Sequence, residues 1–140
     1  MTIIYAYVVG DLWHLGHKRF VEQAKALGDY LIVGVLTDKA TMAYKRKPII
    51  RFKERLELIM DSKQVDEVVI QSNVDPTYNL KIMPDVDIVV HAHAPDEILP
   101  HWESACEYMK SVGKKAIRLD YYGSQSTTKI IKSIKEREDL

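Results

Sequence analysis

The chain has a single cysteine, Cys106, among its 140 residues. One thiol excludes an internal disulfide and fits a reducing compartment. No apolar run approaches the roughly 20 residues that a membrane-spanning helix needs, and residues 1–5 lack the basic and apolar regions of a signal peptide. These absences predict a cytoplasmic protein without a membrane segment.

Neither sign of charge is in excess, because 20 Lys and Arg residues balance 20 Asp and Glu residues. A net charge of zero supplies no general field that would attract nucleic acid or an anionic membrane. We therefore expect no nucleic-acid partner and no membrane partner, and any site for an anion must be local. The length suits one compact α/β domain over residues 1–140.

Short apolar segments alternate with amphipathic ones along the whole chain. Strands are expected at residues 3–9, 30–36, 65–70, 87–90 and 116–119. Helices are expected from residue 17 to Gly28, around 52–60, at 76–84, at 97–112 and after Ser126, the last with Ile130, Ile131 and Ile134 on its buried face. This order predicts a parallel sheet with helices on both faces. Ligands bind such sheets beyond the carboxyl ends of the strands, which directs attention to loops 10–17, 37–47 and 91–96.

The first of these loops contains His14-Leu15-Gly16-His17, where a buried strand turns into a helix. A helix N-terminus carries unpaired N–H groups and partial positive charge, so it attracts phosphate. Gly16 lets the backbone approach an anion closely, and two imidazoles there can stabilise charge that develops on phosphoryl oxygens. The alternatives are a structural histidine pair or a metal-binding pair.

The start of the last helix holds Ser126, Thr127 and Thr128 in sequence. Their hydroxyls and the free N–H groups of the helix converge, which suits the β- and γ-phosphates of a nucleotide. The alternative is that these residues only cap the helix.

These segments resemble the His-x-Gly-His and Ser-Thr-Thr-x-Ile-Ile signatures of the superfamily of cytidylyltransferases and related adenylyltransferases. The resemblance implies a single Rossmann-like domain with a five-stranded parallel sheet. It implies an enzyme in which a phosphorylated acceptor attacks the α-phosphate of a nucleoside triphosphate, held with Mg²⁺, and pyrophosphate is released. His14 and His17 would stabilise the α-phosphate and the leaving group. Relatives are often dimers, so a homodimer is left open.

Other segments extend the resemblance through most of the chain. In the basic loop after strand two, Lys45 matches a family lysine that orients phosphate, whereas Arg46 and Lys47 read more readily as a solvated charge run. Arg55, followed by a Val-Asp-Glu-Val strand, is expected at the nucleotide phosphates, or else in a surface salt bridge with Glu54 or Asp61. Val9, Gly10, Asp11, Asp38 and His91 complete the residues assigned to nucleotide binding.

The sequence also departs from the family pattern in three places. Residues 8–11 replace the usual Gly-Thr-Phe-Asp, although Asp11 is kept, and Tyr121 stands where cytidylyltransferases have an arginine. His91 and His93 replace a Gly-Asp element; they would contact the nucleotide or substrate, bind a metal, or simply line the mouth of the pocket.

Several other residues were assigned no part in the site. Trp13 and Trp102 are interpreted as packing residues, Cys106 as an inert core thiol and His101 as a surface residue. For Trp13 the alternative is that its ring shields the phosphate site.

The signatures favour CTP as the nucleotide and a phosphorylated alcohol as the acceptor. ATP with a heptose phosphate, flavin mononucleotide or similar acceptor is the alternative. A nucleotide-binding protein without turnover, and a metal-site protein built on His14, His17, His91 and His93, are the readings from other classes. We expect no resident metal site.

Overall fold

The computed structural model describes residues 1–121, 126–137 and 139, and within them strands and helices alternate. In chain order the elements are β1 (Ile3–Val8), α1 (Leu15–Lys25), β2 (Tyr30–Leu36), α2 (Asp38–Met42), α3 (Phe52–Met60), β3 (Glu67–Gln71), α4 (Thr77–Ile82), β4 (Ile88–Ala92), α5 (Pro100–Ser111), β5 (Lys115–Leu119) and α6 (Thr127–Glu136).

The strands form one parallel sheet in the order β3-β2-β1-β4-β5. The chain runs from the centre to one edge and then returns to β4 on the other side of β1. This reversal opens a crevice at the carboxyl ends of β1 and β4, which is where ligands bind in sheets of this kind. The predicted single α/β domain with a five-stranded parallel sheet is confirmed.

Alternating side chains of the central strands fill two separate cores, one on each face of the sheet. Ile4 and Ala6 pack with α1 and α3, whereas Tyr5 and Tyr7 point to the opposite face and pack with α4 and α5. Because β1 is covered on both faces, its side chains from Ile4 to Tyr7 are 0–2% exposed. This rigid strand carries the loop that follows it into the crevice.

Two local expectations need correction. The segment after β2, expected to be an irregular polar stretch, contains α2, whose first turn is capped by the Thr37 side chain accepting from Ala40 N at 3.1 Å. The apolar face of α6 is not buried: Ile130 and Ile131 are half-buried and Ile134 is 52% exposed. The helical period is confirmed, but the described residues leave much of this apolar face uncovered.

In the described part of the chain, no helix combines the length and the apolar character that crossing a bilayer requires.

Candidate active site

The carboxyl ends of the strands border a cleft of about 570 Å³, a usual size for a small-molecule site. Its lining includes every residue assigned to the site from the sequence except Asp38 and Arg55. These residues are Val9, Gly10, Asp11, His14, Gly16, His17, Lys45, His91, Ser126, Thr127 and Thr128. The loop after β1 and the opening of α6 therefore meet at one place, although more than 100 residues separate them in the chain.

His14 is the N-cap of α1, and its imidazole takes part in a reciprocal capping arrangement with His17. His14 Nδ1 accepts from Gly16 N at 2.9 Å, and His17 Nδ1 accepts from His14 N at 3.1 Å. A neutral imidazole carries its one proton on the nitrogen that is not accepting. Both rings are therefore fixed as Nε2–H tautomers, each with one donor left for another group.

Packing holds the two imidazoles neutral. The His17 ring stacks on Trp13 at 4.7 Å between centroids, and it lies 4.0 Å from the His14 ring. Burial, with smaller contributions from His14 and Lys45, lowers the pKa of His17 to about 3, and burial also lowers the pKa of His14. At neutral pH the pair thus presents two neutral N–H donors rather than positive charge. Of the two histidines, Trp13 stacks on His17.

The loop between β1 and α1 is shaped by Gly10 and Asp11. Gly10 has φ +72°, and a Cβ there would lie 2.7 Å from Ile59 Cδ1, so a side chain is excluded both by conformation and by space. Asp11 is 3% exposed, and its carboxylate accepts from the backbone N–H groups of Ile49 and Ile50, each at 2.9 Å. The Asp11 carboxylate therefore braces the loop before α3 more than it faces the cleft.

The opening of α6 is joined to this loop. Thr127 Oγ1 donates to the backbone oxygen of Asp11 at 2.7 Å, and Ser126 Oγ caps the helix by accepting from Lys129 N at 3.1 Å. Thr128 is exposed and lines the cleft. Ser126 therefore caps the helix, as the alternative interpretation predicts, while Thr127 connects the start of α6 to the loop after β1. Tyr121 also lines the cleft, and residues 122–125 lie outside the described part of the chain.

Lys45 lies on the turn after α2, at the edge of the cleft. Its side chain is exposed in part, yet the surrounding protein desolvates the ammonium and, together with Arg46, lowers its pKa, while Glu97 opposes that shift. Arg46 also lines the cleft, with Nη2 3.8 Å from Asp11 Oδ2. Lys47 is exposed and does not line the cleft, so the solvated-charge interpretation suits Lys47 but not Arg46.

Arg55 and Asp38 are placed differently from the expectation. Arg55 is 0% exposed and does not line the cleft. Its guanidinium donates to the backbone oxygens of Ile50 (2.8 Å), Leu36 (2.9 Å) and Val9, and to Asp38 Oδ1 at 2.6 Å. The Arg55 side chain therefore does not face the cleft, and among the described residues its ion pair is with Asp38 and not with Glu54 or Asp61. The side chain instead joins the ends of β1 and β2 to the loop before α3.

A second group of histidines lies beside the cleft, on the opposite face of the sheet from α1. The His91 ring stacks on Tyr7 at 4.5 Å and its Nδ1 lies 2.9 Å from Nδ1 of His93. His93 is 2% exposed and does not line the cleft. No cluster of three or more His, Cys, Asp or Glu side chains within the described residues is arranged to hold a metal ion. The metal-site reading therefore has no geometric support there.

His101 was assigned to the surface, and this was wrong. It is 7% exposed, lines the cleft and lies with Nδ1 2.7 Å from the Tyr7 hydroxyl. No local sequence pattern indicates this pair, since 94 residues separate the partners. A histidine in the first turn of a helix that follows a ligand-binding loop was the one available hint.

A family model described as Cytidylyltransferase-like matches residues 10–133 of the chain. The chain belongs to the cytidylyltransferase-like family. It is a nucleotidyltransferase, as its family signatures predict.

Relatives of this cytidylyltransferase-like chain fall into two groups. A protein named FAD synthase from Thermococcus onnurineus (strain NA1) is 36% identical over 140 residues, covering 91% of this chain and 87% of the relative. An ethanolamine-phosphate cytidylyltransferase from Dictyostelium discoideum is 40% identical over 91 residues, which cover 64% of this chain and 25% of that relative.

A solved structure shares the fold of this cytidylyltransferase-like chain nearly end to end. The lipopolysaccharide core biosynthesis protein from Thermoplasma volcanium GSS1 superposes with a TM-score of 0.74 at 28% identity, covering 87% of this chain and 98% of that one. The fold of this chain is thus a known architecture.

Proposed function

We propose that this chain transfers an adenylyl group from ATP to a phosphorylated acceptor and releases pyrophosphate. The observation that carries the proposal is the pair of neutral Nε2–H donors on His14 and His17, which lie at the start of one helix and share a cleft with the start of another. Two helix N-termini directed at one cleft supply partial positive charge and free N–H groups for a chain of phosphates.

The reaction needs little acid–base chemistry from the protein. A phosphate oxygen of the acceptor is already an anionic nucleophile, so it attacks the α-phosphorus while the bond to pyrophosphate breaks on the opposite side. The two imidazoles donate to the α-phosphate oxygens and the leaving group as charge builds there. They are tied to the backbone through Nδ1, so they need little reorientation during the step.

Lys45 and the start of α6 would supply the remaining contacts, one to the acceptor phosphate and the other to the triphosphate. Lys45 lies on the side of the cleft nearer Tyr44 and His101, where the acceptor phosphate would enter. Thr128 and the first N–H groups of α6 would hold the β/γ end of the triphosphate. The contact assigned to Arg55 is not needed in this arrangement, because Arg46 lies at the cleft instead.

Mg²⁺ is proposed to arrive with the triphosphate. Mg²⁺ keeps several waters and is often bound through substrate phosphates rather than by an all-protein cage. The residues fit that mode, because the described residues offer no ready-made metal cluster, while the cleft retains acidic side chains at Glu97 and Asp120. When bound, the ion would neutralise part of the charge on the β- and γ-phosphates.

We favour ATP over CTP because the relatives named FAD synthase match this chain over a larger share of their length than the cytidylyltransferase does. Proteins named FAD synthase match this chain over most of both lengths, and making FAD requires adenylyl transfer to flavin mononucleotide. CTP, favoured by the Ser-Thr-Thr-x-Ile-Ile signature, stays the second candidate. Its support is the 40% identity to an ethanolamine-phosphate cytidylyltransferase over 91 residues.

A pyrophosphate-release assay tests the proposal. ATP, CTP and GTP would each be combined with flavin mononucleotide, sn-glycerol 3-phosphate, phosphoethanolamine and a sugar phosphate, in the presence of Mg²⁺. We expect pyrophosphate with ATP and an acceptor, and none when His14 and His17 are both replaced by alanine. Release with CTP alone would select the second candidate. Nucleotide binding without release from any pair would favour a binding protein.

A further inference from the structure

His101 carries a polar atom that the fold leaves without a partner. Among the described residues, its Nε2 is the buried side-chain nitrogen or oxygen atom that makes no hydrogen bond. An unpaired buried polar group costs free energy, so it commonly marks a place where another molecule binds. His101 lines the cleft, on the opposite face of the sheet from His14 and His17.

The hydrogen bond with Tyr7 fixes which proton His101 carries. The Tyr7 hydroxyl lies 2.7 Å from His101 Nδ1. If Tyr7 donates, both of these atoms are satisfied and the imidazole proton is on Nε2. The opposite arrangement would leave the buried tyrosine proton and the Nε2 lone pair both unpaired. Burial raises the pKa of Tyr7 far above its usual range and lowers that of His101, so both groups are neutral. His101 therefore presents an Nε2–H donor.

The charges around this donor select the class of ligand. Its neighbours are the neutral His91 ring, 5.2 Å away between centroids, and the Tyr44 ring at 5.7 Å, and the positive charge of Lys45 acts on both histidines. Asp75 exerts an opposing charge on His101, but it is engaged by Thr77 and does not line the cleft. The carboxylate of Glu97 also lines the cleft, but its charge acts on Lys45 and His93 and not on His101. Beside His101 an ammonium head group would meet an N–H donor and the charge of Lys45, whereas a hydroxyl or carbonyl oxygen would accept a hydrogen bond.

We infer that His101 recognises an oxygen atom on the acceptor, so that the enzyme selects phosphorylated polyols and similar hydroxyl- or carbonyl-bearing phosphates over phosphorylated amino alcohols. The inference rests on the proposed transfer reaction and specifies its acceptor. Its physical content is one hydrogen bond from Nε2–H to the part of the acceptor that lies beyond the phosphate. Tyr7 acts through His101 and is a positioning residue.

Access to this donor requires a small movement of the protein. Solvent does not reach Nε2, and of the rings around it Tyr7 is 2% exposed and held in β1, whereas Tyr44 is 40% exposed and lies on the turn after α2. Tyr44 is the neighbour that can move without disturbing the sheet. The acceptor would displace its ring while Lys45, the next residue, engages the phosphate.

Steady-state kinetics with three acceptors tests the selection. sn-Glycerol 3-phosphate and flavin mononucleotide carry hydroxyl groups, whereas phosphoethanolamine carries an ammonium group on a chain about as short as that of sn-glycerol 3-phosphate. Wild type should favour the oxygen-bearing acceptors by roughly tenfold or more in kcat/KM, the scale of one hydrogen bond to a group that is otherwise left unpaired. A preference for phosphoethanolamine would overturn the inference even though transfer itself occurs.

Three variants separate recognition from packing. His101→Phe keeps an aromatic ring and should raise the KM of the oxygen-bearing acceptors about tenfold, with the KM of ATP unchanged. His101→Gln retains an N–H donor and should recover part of the loss, and Tyr7→Phe should give an intermediate loss. Equal acceptor KM values in wild type and His101→Phe, for a variant that melts like wild type, would refute the assignment.

A binding measurement decides the matter independently of turnover. The imidazole signals of protein labelled with ¹⁵N-histidine would be recorded with a non-reacting ATP analogue, and His101 assigned from the signal absent in His101→Gln. Addition of flavin mononucleotide or sn-glycerol 3-phosphate should shift the His101 Nε2–H signal, and phosphoethanolamine should not. No shift with either oxygen-bearing phosphate would exclude the proposed contact, whether or not the enzyme turns over.

Discussion

Replacing Arg55 with methionine should destabilise the fold rather than weaken nucleotide binding directly. The guanidinium is fully buried and makes hydrogen bonds to three backbone oxygens and to Asp38. Methionine matches much of the volume but supplies no donor. The carbonyls of Val9 and Leu36, at the ends of two buried strands, would lose that partner. Asp38 is 36% exposed and can be rehydrated, so most of the cost comes from the carbonyls.

Leaving a buried hydrogen-bond acceptor without its partner costs about 1–3 kcal/mol, so the two carbonyls together cost about 2–6 kcal/mol. For a domain of this size, that loss lowers the melting temperature by roughly 5–20 °C. Arg51→Met is the matched control, because Arg51 precedes the same helix, is 77% exposed and lies 3.8 Å from Glu54. An exposed pair of this kind contributes about 0–1 kcal/mol, so this variant should melt almost like wild type.

Urea unfolding followed by circular dichroism measures both variants, and calorimetric titration with ATP measures nucleotide affinity. The sequence-based assignment of Arg55 to the nucleotide phosphates makes the opposite prediction. If Arg55→Met unfolds at the wild-type urea concentration but loses ATP affinity, the structural role of Arg55 is wrong. The result would instead support a contact between Arg55 and the nucleotide phosphates. A variant too unstable to titrate at 25 °C would be examined at lower temperature, where the folded fraction can be measured directly.

The remaining predictions concern the cleft. His14→Ala and His17→Ala should each lower kcat about 10²–10³-fold if each acts like one oxyanion-hole donor, with ATP affinity much less affected; unchanged turnover in both would contradict their roles. Lys45→Ala should raise the KM of a phosphorylated substrate while the melting temperature stays near that of wild type, and wild-type KM values for both substrates would count against it. The melting temperature of the ligand-free protein should fall as pH drops below about 6.5, since burial lowers the folded-state pKa of His17 to about 3 and the unfolded chain then binds more protons. His17→Gln should flatten that pH dependence, and an unchanged slope would show that other groups cause it.

Local patterns predicted most of the fold because most elements, though not the short α2, have a signal of their own. The run of apolar residues at 30–36 is bounded by Asp29 and Thr37, and β2 occupies those residues. The alternation of strands and helices then determines a parallel sheet, since the crossovers leave few other arrangements. α6 shows the limit of this reasoning. An amphipathic period establishes a helix, but whether its apolar face is covered depends on how far the neighbouring elements extend.

The residues of the candidate site also fall into those that local sequence predicts and those that it does not. His14, Gly16 and His17 lie within four residues, so their relation to a helix N-terminus follows from the sequence alone. Arg55 and His101 depend on partners distant in sequence. A charged side chain is ordinarily expected at the surface, and nothing near Arg55 in the sequence announces that three carbonyls from separate segments converge on it. His101 likewise depends on Tyr7, which contacts it from β1.

Two residues kept from the family signature have different contacts from those that the sequence led us to expect. Asp11 and Thr127 are kept from the family pattern, yet the Asp11 carboxylate binds the backbone of the loop before α3, and Thr127 Oγ1 binds the backbone of Asp11. With Arg55, they connect the loops after β1 and β2 to the start of α6. These residues shape the cleft by holding its walls, which leaves His14 and His17 with free donors for the reacting phosphate. Loss of Asp11 should therefore reduce stability and activity together, whereas loss of a free donor should reduce activity alone, and that difference separates the two roles in any series of variants.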